Sequence, residues 1–296
     1  MWPATSIEAV PPIVDIHTHV YPADLVANRE VYCGRDAWFG SLYGHARARL
    51  ATAADLLAEM DRSGVHASAA CAFGWADQGL CSALNDYLLA VAKEYPGRLL
   101  PFVGVQPRAG AAAVAEIERC AKLGAVGVGE LMPDGQGFAL DDVALLAPVV
   151  EAATAHRLPI LTHVSEPLGH DYPGKGTVSP LAVYRLARCY PDAVFICAHW
   201  GGGLPFLELL PEVAKALRNV HYDTAAGLFL YRDAIFTAAA AAVGAEKVLF
   251  GTDYPLLNQR RFLARVRGSG LSEAACEHVL GGNAARLLRL TEWRDR

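Results

Sequence analysis

Two histidines separated by a single residue stand near the end of the first apolar run of the chain. They are His17 and His19, in the segment IVDIHTHV of residues 13–20. Because side chains alternate between the two faces of a strand, both imidazoles are expected on one face, where together they could hold a transition metal. A His-x-His pair also arises by chance, and two polar residues at a strand end can contact solvent alone. The pair therefore predicts a metal site only if other ligands reach the same place.

Four later apolar runs each end in a residue type that divalent metals bind. In chain order these residues are Glu130, His163, His199 and Asp253. Imidazole and carboxylate are the ligands that zinc and similar ions use in catalytic sites. We therefore predict that the four side chains join His17 and His19 around one or two divalent ions, and zinc is the ion that we expect. In the run that precedes Asp223, His221 is interpreted as a satisfied residue of the interior rather than a catalytic one.

The elements that must position these residues are eight short apolar runs separated by helical patterns. The runs cover residues 13–20, 67–75, 99–107, 125–131, 159–166, 193–200, 219–226 and 247–255. Alternation of buried strands with helices at this spacing is typical of a parallel α/β barrel, in which the carboxyl ends of all strands meet at one mouth. We predict a single (β/α)8 TIM barrel domain over residues 1–296, with helices that include 52–63 and 205–218.

The first strand–helix unit is longer than the others and predicts a long β1–α1 loop over residues 20–50. This segment is rich in aromatic residues and arginines, and it would lie at the active-site end of the barrel. We interpret it as a lid or substrate wall. A second segment, residues 165–176, follows His163 directly. Together with Trp200, the two segments provide the predicted substrate contacts, which are Arg49, Glu166, His170, Tyr172, Lys175 and Trp200. An inward-facing Arg49 or Lys175 would favour an anionic substrate group.

Composition excludes several classes of protein. The net charge of −5 gives no basic surface for nucleic acid. The apolar stretch at residues 234–245 is too short to span a bilayer, and the first residues carry no pattern of a secretion signal. Seven cysteines without a Cys-x-x-Cys pair indicate reduced thiols rather than disulfides or a zinc–cysteine site. We expect a cytoplasmic protein that acts on a small molecule, with assembly into a homo-oligomer left open.

Four motifs in the predicted order resemble the amidohydrolase superfamily. They are DIHTH at 15–19, LTH at 161–163, AHWGGG at 198–203 and FGTDYP at 250–255. The set is most similar to the amidohydrolase-2 branch, which includes aminocarboxymuconate-semialdehyde decarboxylase. The resemblance implies a barrel whose divalent metal is held by His17, His19, His163 and Asp253, with His199 as a second-metal ligand or a catalytic group. Glu130 departs from the decarboxylase pattern and is similar to a metal-holding glutamate of TatD-type hydrolases, which opens the alternative of two metals.

The reaction that we expect first is hydrolysis of a small amide, ester or lactone by a metal-activated water. A bound metal lowers the pKa of water from 15.7 to about 7. Asp253 would move the proton to the leaving group, and His199 would polarise the carbonyl oxygen or hold a second ion. The alternative is non-oxidative decarboxylation of an aromatic or enol acid, with Arg35, Arg47 or Arg49 on a carboxylate. A further alternative is a barrel that binds without catalysis.

Overall fold

The computed structural model describes residues 12–290 and contains eight parallel strands that pair in sequence order. The predicted (β/α)8 TIM barrel is confirmed. The strands are shorter than the apolar runs that predict them, because every run except that of β4 continues past its strand into the loop at the mouth. They are β1 (Val14–Thr18), β2 (Ala67–Cys71), β3 (Leu99–Val103), β4 (Gly127–Leu131), β5 (Ile160–Thr162), β6 (Phe195–Cys197), β7 (Val220–Asp223) and β8 (Val248–Leu249).

Backbone hydrogen bonds between β1 and the residues that follow β8 close the barrel. The Ile16 amide donates to the Phe250 carbonyl over 2.8 Å, and the Asp253 amide donates to the His17 carbonyl over 2.8 Å. A third bond of 2.7 Å runs from the His19 amide to the Tyr254 carbonyl. This closure brings Asp253 beside the two histidines of β1, although the chain separates them by more than two hundred residues.

The interior of the barrel is filled by apolar side chains from strands on opposite sides. Val14, Ile16, Leu161, Ile196 and Leu249 belong to one buried cluster, and all five are at most 2% exposed. Strands buried on both faces explain why their sequences are continuous apolar runs rather than alternating ones. The polar ligands are therefore confined to the ends of the strands.

Fifteen α-helices surround the sheet within residues 12–290. None of them is long and apolar enough to cross a membrane. Short 3-10 segments lie at Pro107–Ala109, His199–Leu209 and Ala245–Lys247, and a π turn lies at His278–Gly282. The helices are α1 (Ala23–Ala27), α2 (Arg29–Arg35), α3 (Ala37–Tyr43), α4 (Ala53–Ser63), α5 (Gln78–Glu94), α6 (Ala111–Lys122), α7 (Pro133–Gln136), α8 (Val143–Ala155), α9 (Pro180–Cys189), α10 (Pro211–Ala216), α11 (Gly227–Leu230), α12 (Ala234–Val243), α13 (Gln259–Arg267), α14 (Glu273–Glu277) and α15 (Asn283–Leu287).

The predicted long loop after β1 is folded rather than irregular. Residues 20–50 contain α1, α2 and α3, and Asp36 fastens this segment to the barrel. One Asp36 carboxylate oxygen accepts from the Phe39 amide at 2.8 Å and caps α3, and the other accepts from the Ala76 amide at 3.0 Å. Phe39 packs on Trp75 with ring centroids 4.7 Å apart. The segment is therefore a fixed wall of the mouth.

The predicted helix 205–218 is wrong in its first half. Trp200 and the three glycines after it have left-handed φ values between 55° and 93°, and a 3-10 segment continues to Leu209 before α10 begins. Glycine adopts this conformation without steric cost, whereas a side chain does not. At Gly202 a Cβ atom would lie 2.3 Å from the Ser165 carbonyl oxygen. The glycines therefore let the turn after β6 pass close to the segment that follows His163.

Candidate metal centre

The six predicted ligands converge at the mouth of the barrel around the carboxylate of Glu130. Glu130 is 2% exposed, and its two oxygens face different partners. Oε2 lies 3.4 Å from His17 Nε2 and 3.5 Å from His19 Nε2. Oε1 lies 3.2 Å from His163 Nδ1 and 3.7 Å from His199 Nε2. A glutamate from β4 thus links the histidines of β1 with those that follow β5 and β6.

Asp253 completes the group from the end of β8. Its Oδ1 lies 3.5 Å from His19 Nε2 and 3.9 Å from His17 Nε2. Unlike Glu130, its side chain is 18% exposed and lines the cavity above the centre. Asp253 and His199 have left-handed φ values of 61° and 58°. Residues in this strained conformation cost about 1–3 kcal/mol each and often lie at functional sites.

The far nitrogen of His17 is held by a second carboxylate. His17 Nδ1 lies 2.7 Å from Asp223 Oδ2 inside the barrel, where both residues are fully buried. The other oxygen of Asp223 accepts from the amides of His199 and Ala225, each over 2.9 Å. A carboxylate only accepts hydrogen bonds, so the neutral His17 imidazole carries its proton on Nδ1 and directs the Nε2 lone pair at the centre.

Main-chain carbonyls orient His19 and His199 in the same way. His19 Nδ1 lies 3.1 Å from the Cys71 carbonyl oxygen, and His199 Nδ1 lies 3.2 Å from that of Ala225. Both carbonyls accept the Nδ1 proton and leave Nε2 free to bind a cation.

The imidazole ring of His163 has the opposite orientation to those of the other three histidines. Its Nε2 lies 3.1 Å from the Lys175 carbonyl oxygen and 3.2 Å from Ser165 Oγ, so Nδ1 faces Glu130. All four imidazoles can therefore present a lone pair to the centre.

This arrangement fits a divalent metal. The Nε2 atoms of His17 and His19 lie 3.1 Å apart in a buried site, where two lone pairs repel unless a cation lies between them. Ligands of one tetrahedral ion at about 2.0 Å lie about 3.3 Å apart, which is close to the spacing seen here. The ligand atoms form two triads, each within 4.8 Å, that share Glu130: His17, His19 and Glu130, and Glu130, His163 and His199.

The electrostatics of these buried groups also favour a positive charge among them. Burial disfavours charge on His17, yet the carboxylates of Asp223 and Glu130 hold its pKa well above the usual range. Burial raises the pKa of Glu130, but the His17 charge and the close contacts with His163, His17 and His19 hold this pKa well below the usual range. In the metal-free protein a proton on His17 thus supplies part of the charge that a metal would bring.

Asp223 is the site residue that sequence reasoning missed. It stands at the carboxyl end of β7, which is the same position that identified the other ligands. His221, two residues earlier in the same strand, was the residue singled out from the sequence. His221 is not satisfied as predicted, because its buried Nδ1 has no hydrogen-bond partner among residues 12–290.

A cavity of about 570 Å³ opens above the predicted metal ligands, and three of the six predicted substrate contacts line it. These three are Arg49, His170 and Tyr172. Apolar side chains of α3 and α11 and of the turns after β4 and β8 form much of the remaining wall, and they include Trp38, Leu42, Met132, Phe229, Leu230 and Leu256. The cavity therefore combines a polar floor with an apolar wall.

The other three predicted contacts lie outside this wall. Glu166 accepts a hydrogen bond of 3.1 Å from the Tyr172 hydroxyl and so supports a residue of the wall. The Lys175 ammonium donates to the carbonyls of residues 168, 169 and 170 within its own loop, over 3.1–3.4 Å. Trp200 is fully buried and packs edge-on against Phe236, so its ring cannot reach a ligand in the cavity.

Comparison with known proteins finds a matching family model and a relative of similar sequence. A family model described as amidohydrolase matches residues 14–290. Gamma-resorcylate decarboxylase of Polaromonas sp. strain JS666 is 27% identical over an alignment of 251 residues, and the match covers 70% of this chain and 75% of that protein.

Solved structures of low identity share the fold. The 5-carboxyvanillate decarboxylase of Sphingomonas paucimobilis has a TM-score of 0.77 and 21% identity, covering 94% of this chain and 99% of its own. A dihydroxybenzoic acid decarboxylase of Polaromonas sp. JS666, solved with manganese and the inhibitor 2-nitroresorcinol, has a TM-score of 0.71 and 20% identity, covering 95% and 97%.

These relatives correct the reaction that the sequence analysis put first. Each is a decarboxylase of an aromatic acid, so the expectation of an amide, ester or lactone hydrolase is wrong, and the findings favour its alternative. The expectation of a divalent metal agrees with the manganese-containing relative, whereas zinc stays a prediction.

Replacement of Asp223 by asparagine should weaken metal binding. The neutral amide oxygen accepts the hydrogen bond of His17 Nδ1 more weakly than the charged carboxylate does, and loss of such a carboxylate partner costs about 10- to 100-fold in metal affinity. Titration of the metal-free protein with Mn²⁺ or Zn²⁺ measures the dissociation constant. Glu116→Gln, which alters a buried carboxylate bound to Arg119 and Asn85, is the control and should keep the wild-type constant. Equal metal affinity of Asp223→Asn and wild type would show that Asp223 does not orient His17.

Proposed function

This chain belongs to the amidohydrolase family, and we propose that it is a metal-dependent, non-oxidative decarboxylase of an aromatic carboxylic acid. The observation that carries the proposal is the cavity, in which an apolar wall and arginines at the rim stand above a cluster of imidazoles and carboxylates. An aromatic ring suits the apolar wall, and its anionic oxygens suit the charged floor and rim. The aromatic acids in the names of the decarboxylase relatives support the same substrate class.

The rim provides cations for the anionic end of such a substrate. Arg47 and Arg49 both line the cavity and are exposed, and neither forms an ion pair with a carboxylate among residues 12–290. A guanidinium binds a carboxylate through two parallel hydrogen bonds. We assign the two arginines to attraction and orientation of the acid, which is the role that the sequence analysis gave to this segment.

The metal ligands of the proposal are the six residues of the centre. His17, His19 and Asp253 would bind on one side of Glu130, and His163 and His199 on the other. When bound, the divalent ion supplies positive charge that draws the anionic oxygens of the substrate into the mouth. Imidazole and carboxylate ligands suit both zinc, which the ligand types predict, and manganese, which a solved relative contains.

Asp253 is the residue that we assign to proton transfer. Decarboxylation needs one proton at the ring carbon that bears the carboxylate. The bond from this carbon to the carboxylate then breaks, its electron pair restores the aromatic ring, and CO₂ leaves. Asp253 lines the cavity and is in contact with solvent, whereas Glu130 is enclosed by imidazoles. Asp253 therefore delivers the proton and recovers one from water.

A single-domain chain, a cytoplasmic location and an assembly of identical chains stay predictions of the sequence. The proposed partner is a small aromatic acid, and 2-nitroresorcinol, the inhibitor in the manganese-containing relative, should bind in the same cavity.

Replacement of Asp253 by asparagine should abolish most of the CO₂ release. The amide cannot carry the proton, and loss of an acid–base group costs about 10²–10⁴-fold in kcat. CO₂ release from γ-resorcylate, 5-carboxyvanillate and related hydroxybenzoic acids by the metal-loaded protein is the measurement. Asp192→Asn, at a 90% exposed aspartate, is the control and should retain wild-type turnover. Absence of CO₂ from every such acid with wild type would contradict the proposed function, and near-full activity of Asp253→Asn would contradict the proton-transfer role.

The two triads support a centre of two ions with Glu130 as their common ligand. Wild type should then bind two divalent ions per chain, and Glu130→Ala should bind one or none, because both triads lose a ligand. Elemental analysis after dialysis gives the count. Glu118→Gln on the exposed side of α6 is the control and should keep two ions. One ion in both wild type and Glu130→Ala would rule out the shared ligand.

A further inference from the structure

Tyr43 is a cavity residue that neither the sequence analysis nor the metal centre accounts for. It ends α3, in the wall that follows β1, and it lines the same cavity as Asp253. Its hydroxyl oxygen accepts a hydrogen bond of 3.2 Å from the hydroxyl of Tyr21. Among residues 12–290, the Tyr43 hydroxyl is not the donor of any hydrogen bond. Tyr43 therefore has a hydrogen-bond donor left over at the edge of the cavity.

The ring of Tyr43 is held in a fixed position by other aromatic rings. Phe39 packs against it with centroids 4.6 Å apart, and Tyr21 meets it edge-on at 5.9 Å. Phe73, from the end of β2, contacts it at 6.1 Å. Aromatic contacts of this kind fix both ring position and ring orientation. Tyr43 thus presents its hydroxyl without the loss of side-chain freedom that a flexible residue would incur.

The hydroxyl of Tyr21 is used entirely in its hydrogen bond to Tyr43. Tyr21 is 1% exposed, and its proton is given to Tyr43. This bond occupies one lone pair of the Tyr43 oxygen, and it turns the Tyr43 proton away from Tyr21. Tyr21 therefore acts on the cavity only through Tyr43.

Electrostatics keep the Tyr43 hydroxyl in its protonated form. Burial raises the pKa of Tyr43, and the negative charges of Asp253 and Glu130 raise it further. Tyr43 lines the same cavity as Glu130, His163 and Asp253 of the centre. The protonated Tyr43 hydroxyl can therefore donate a hydrogen bond to an anionic oxygen of a ligand in the cavity.

We propose that Tyr43 donates a hydrogen bond to an anionic oxygen of the bound aromatic acid, and that Tyr21 is a positioning residue that directs this donor. The inference rests on the proposed function, since it requires an anionic aromatic ligand in the cavity. It makes Tyr43 a specificity-determining residue, because an aromatic ligand without an oxygen at this position leaves the hydroxyl unpaired.

Phenylalanine substitutions remove each hydroxyl and keep the rings that pack. The probe is 2-nitroresorcinol, titrated into metal-loaded wild type, Tyr43→Phe, Tyr21→Phe and the double variant, with binding followed by absorbance. A hydrogen bond to a charged oxygen predicts a dissociation constant about 10- to 100-fold higher for Tyr43→Phe. Tyr21→Phe should raise the constant by less, and the double variant should match Tyr43→Phe, since Tyr21 acts only through Tyr43.

A control variant and a turnover assay distinguish an error in the Tyr43 assignment from an error in the proposed function. Tyr184→Phe, on α9 outside the cavity, should bind the probe like wild type. If wild type binds the probe and releases CO₂ while Tyr43→Phe binds as tightly, the Tyr43 assignment alone is wrong. If the losses of Tyr21→Phe and Tyr43→Phe add in full, Tyr21 does not act through Tyr43. If wild type neither binds the probe nor releases CO₂ from any hydroxybenzoic acid, the proposed function fails, and the Tyr43 assignment is overturned with it.

Discussion

The structure at the mouth of this barrel depends on one constraint, the repulsion between the lone pairs of buried imidazoles and a buried carboxylate. His17 and His19 bring two Nε2 atoms within 3.1 Å of each other, and Glu130 adds a carboxylate at 2% exposure. Such groups cannot stay together unless a cation, either a metal ion or a proton, lies among them. Hydrogen-bond acceptors behind the imidazoles prevent them from relieving the repulsion by turning away. The ligands and their supports are therefore one unit.

The fold can be understood as the means of keeping this unit in place. The ligands stand on strand ends, which are fixed by the sheet, and the closure of β8 on β1 carries Asp253 to the histidines. Asp223 connects three of the elements, because it binds the His17 ring and the amides of His199 and Ala225. The left-handed residues His199 and Asp253 add strain, which the surrounding hydrogen bonds hold. The strained backbone at these two residues lowers the stability of the fold and fixes their side chains at the site.

The sequence predicted the barrel and the metal ligands because both depend on local patterns. An apolar run that ends in His, Asp or Glu marks a strand end, and parallel strands bring their ends together. The same pattern also marks Asp223 as a strand-end residue. Its role as a support for His17 depends on a contact between β7 and β1, which are not adjacent in the sheet, and no local pattern predicts such a contact. Tyr43 and the burial of Trp200 depend on how α1, α2 and α3 and the turn after β6 pack, which no local pattern determines. The reaction was predicted wrongly, because ligand types are shared by hydrolases and decarboxylases while the cavity wall selects the substrate.

The fate of the solvent atoms during turnover tests the central claim most directly. The metal-loaded protein would act on γ-resorcylate in D₂O and, separately, in H₂¹⁸O, with the product examined by mass spectrometry and NMR. Decarboxylation predicts one CO₂ for each product molecule, one deuterium at the ring carbon that lost the carboxylate, and no ¹⁸O in the aromatic product. Recovery of γ-resorcylate unchanged, with no CO₂ released and no deuterium on the ring, would contradict the account.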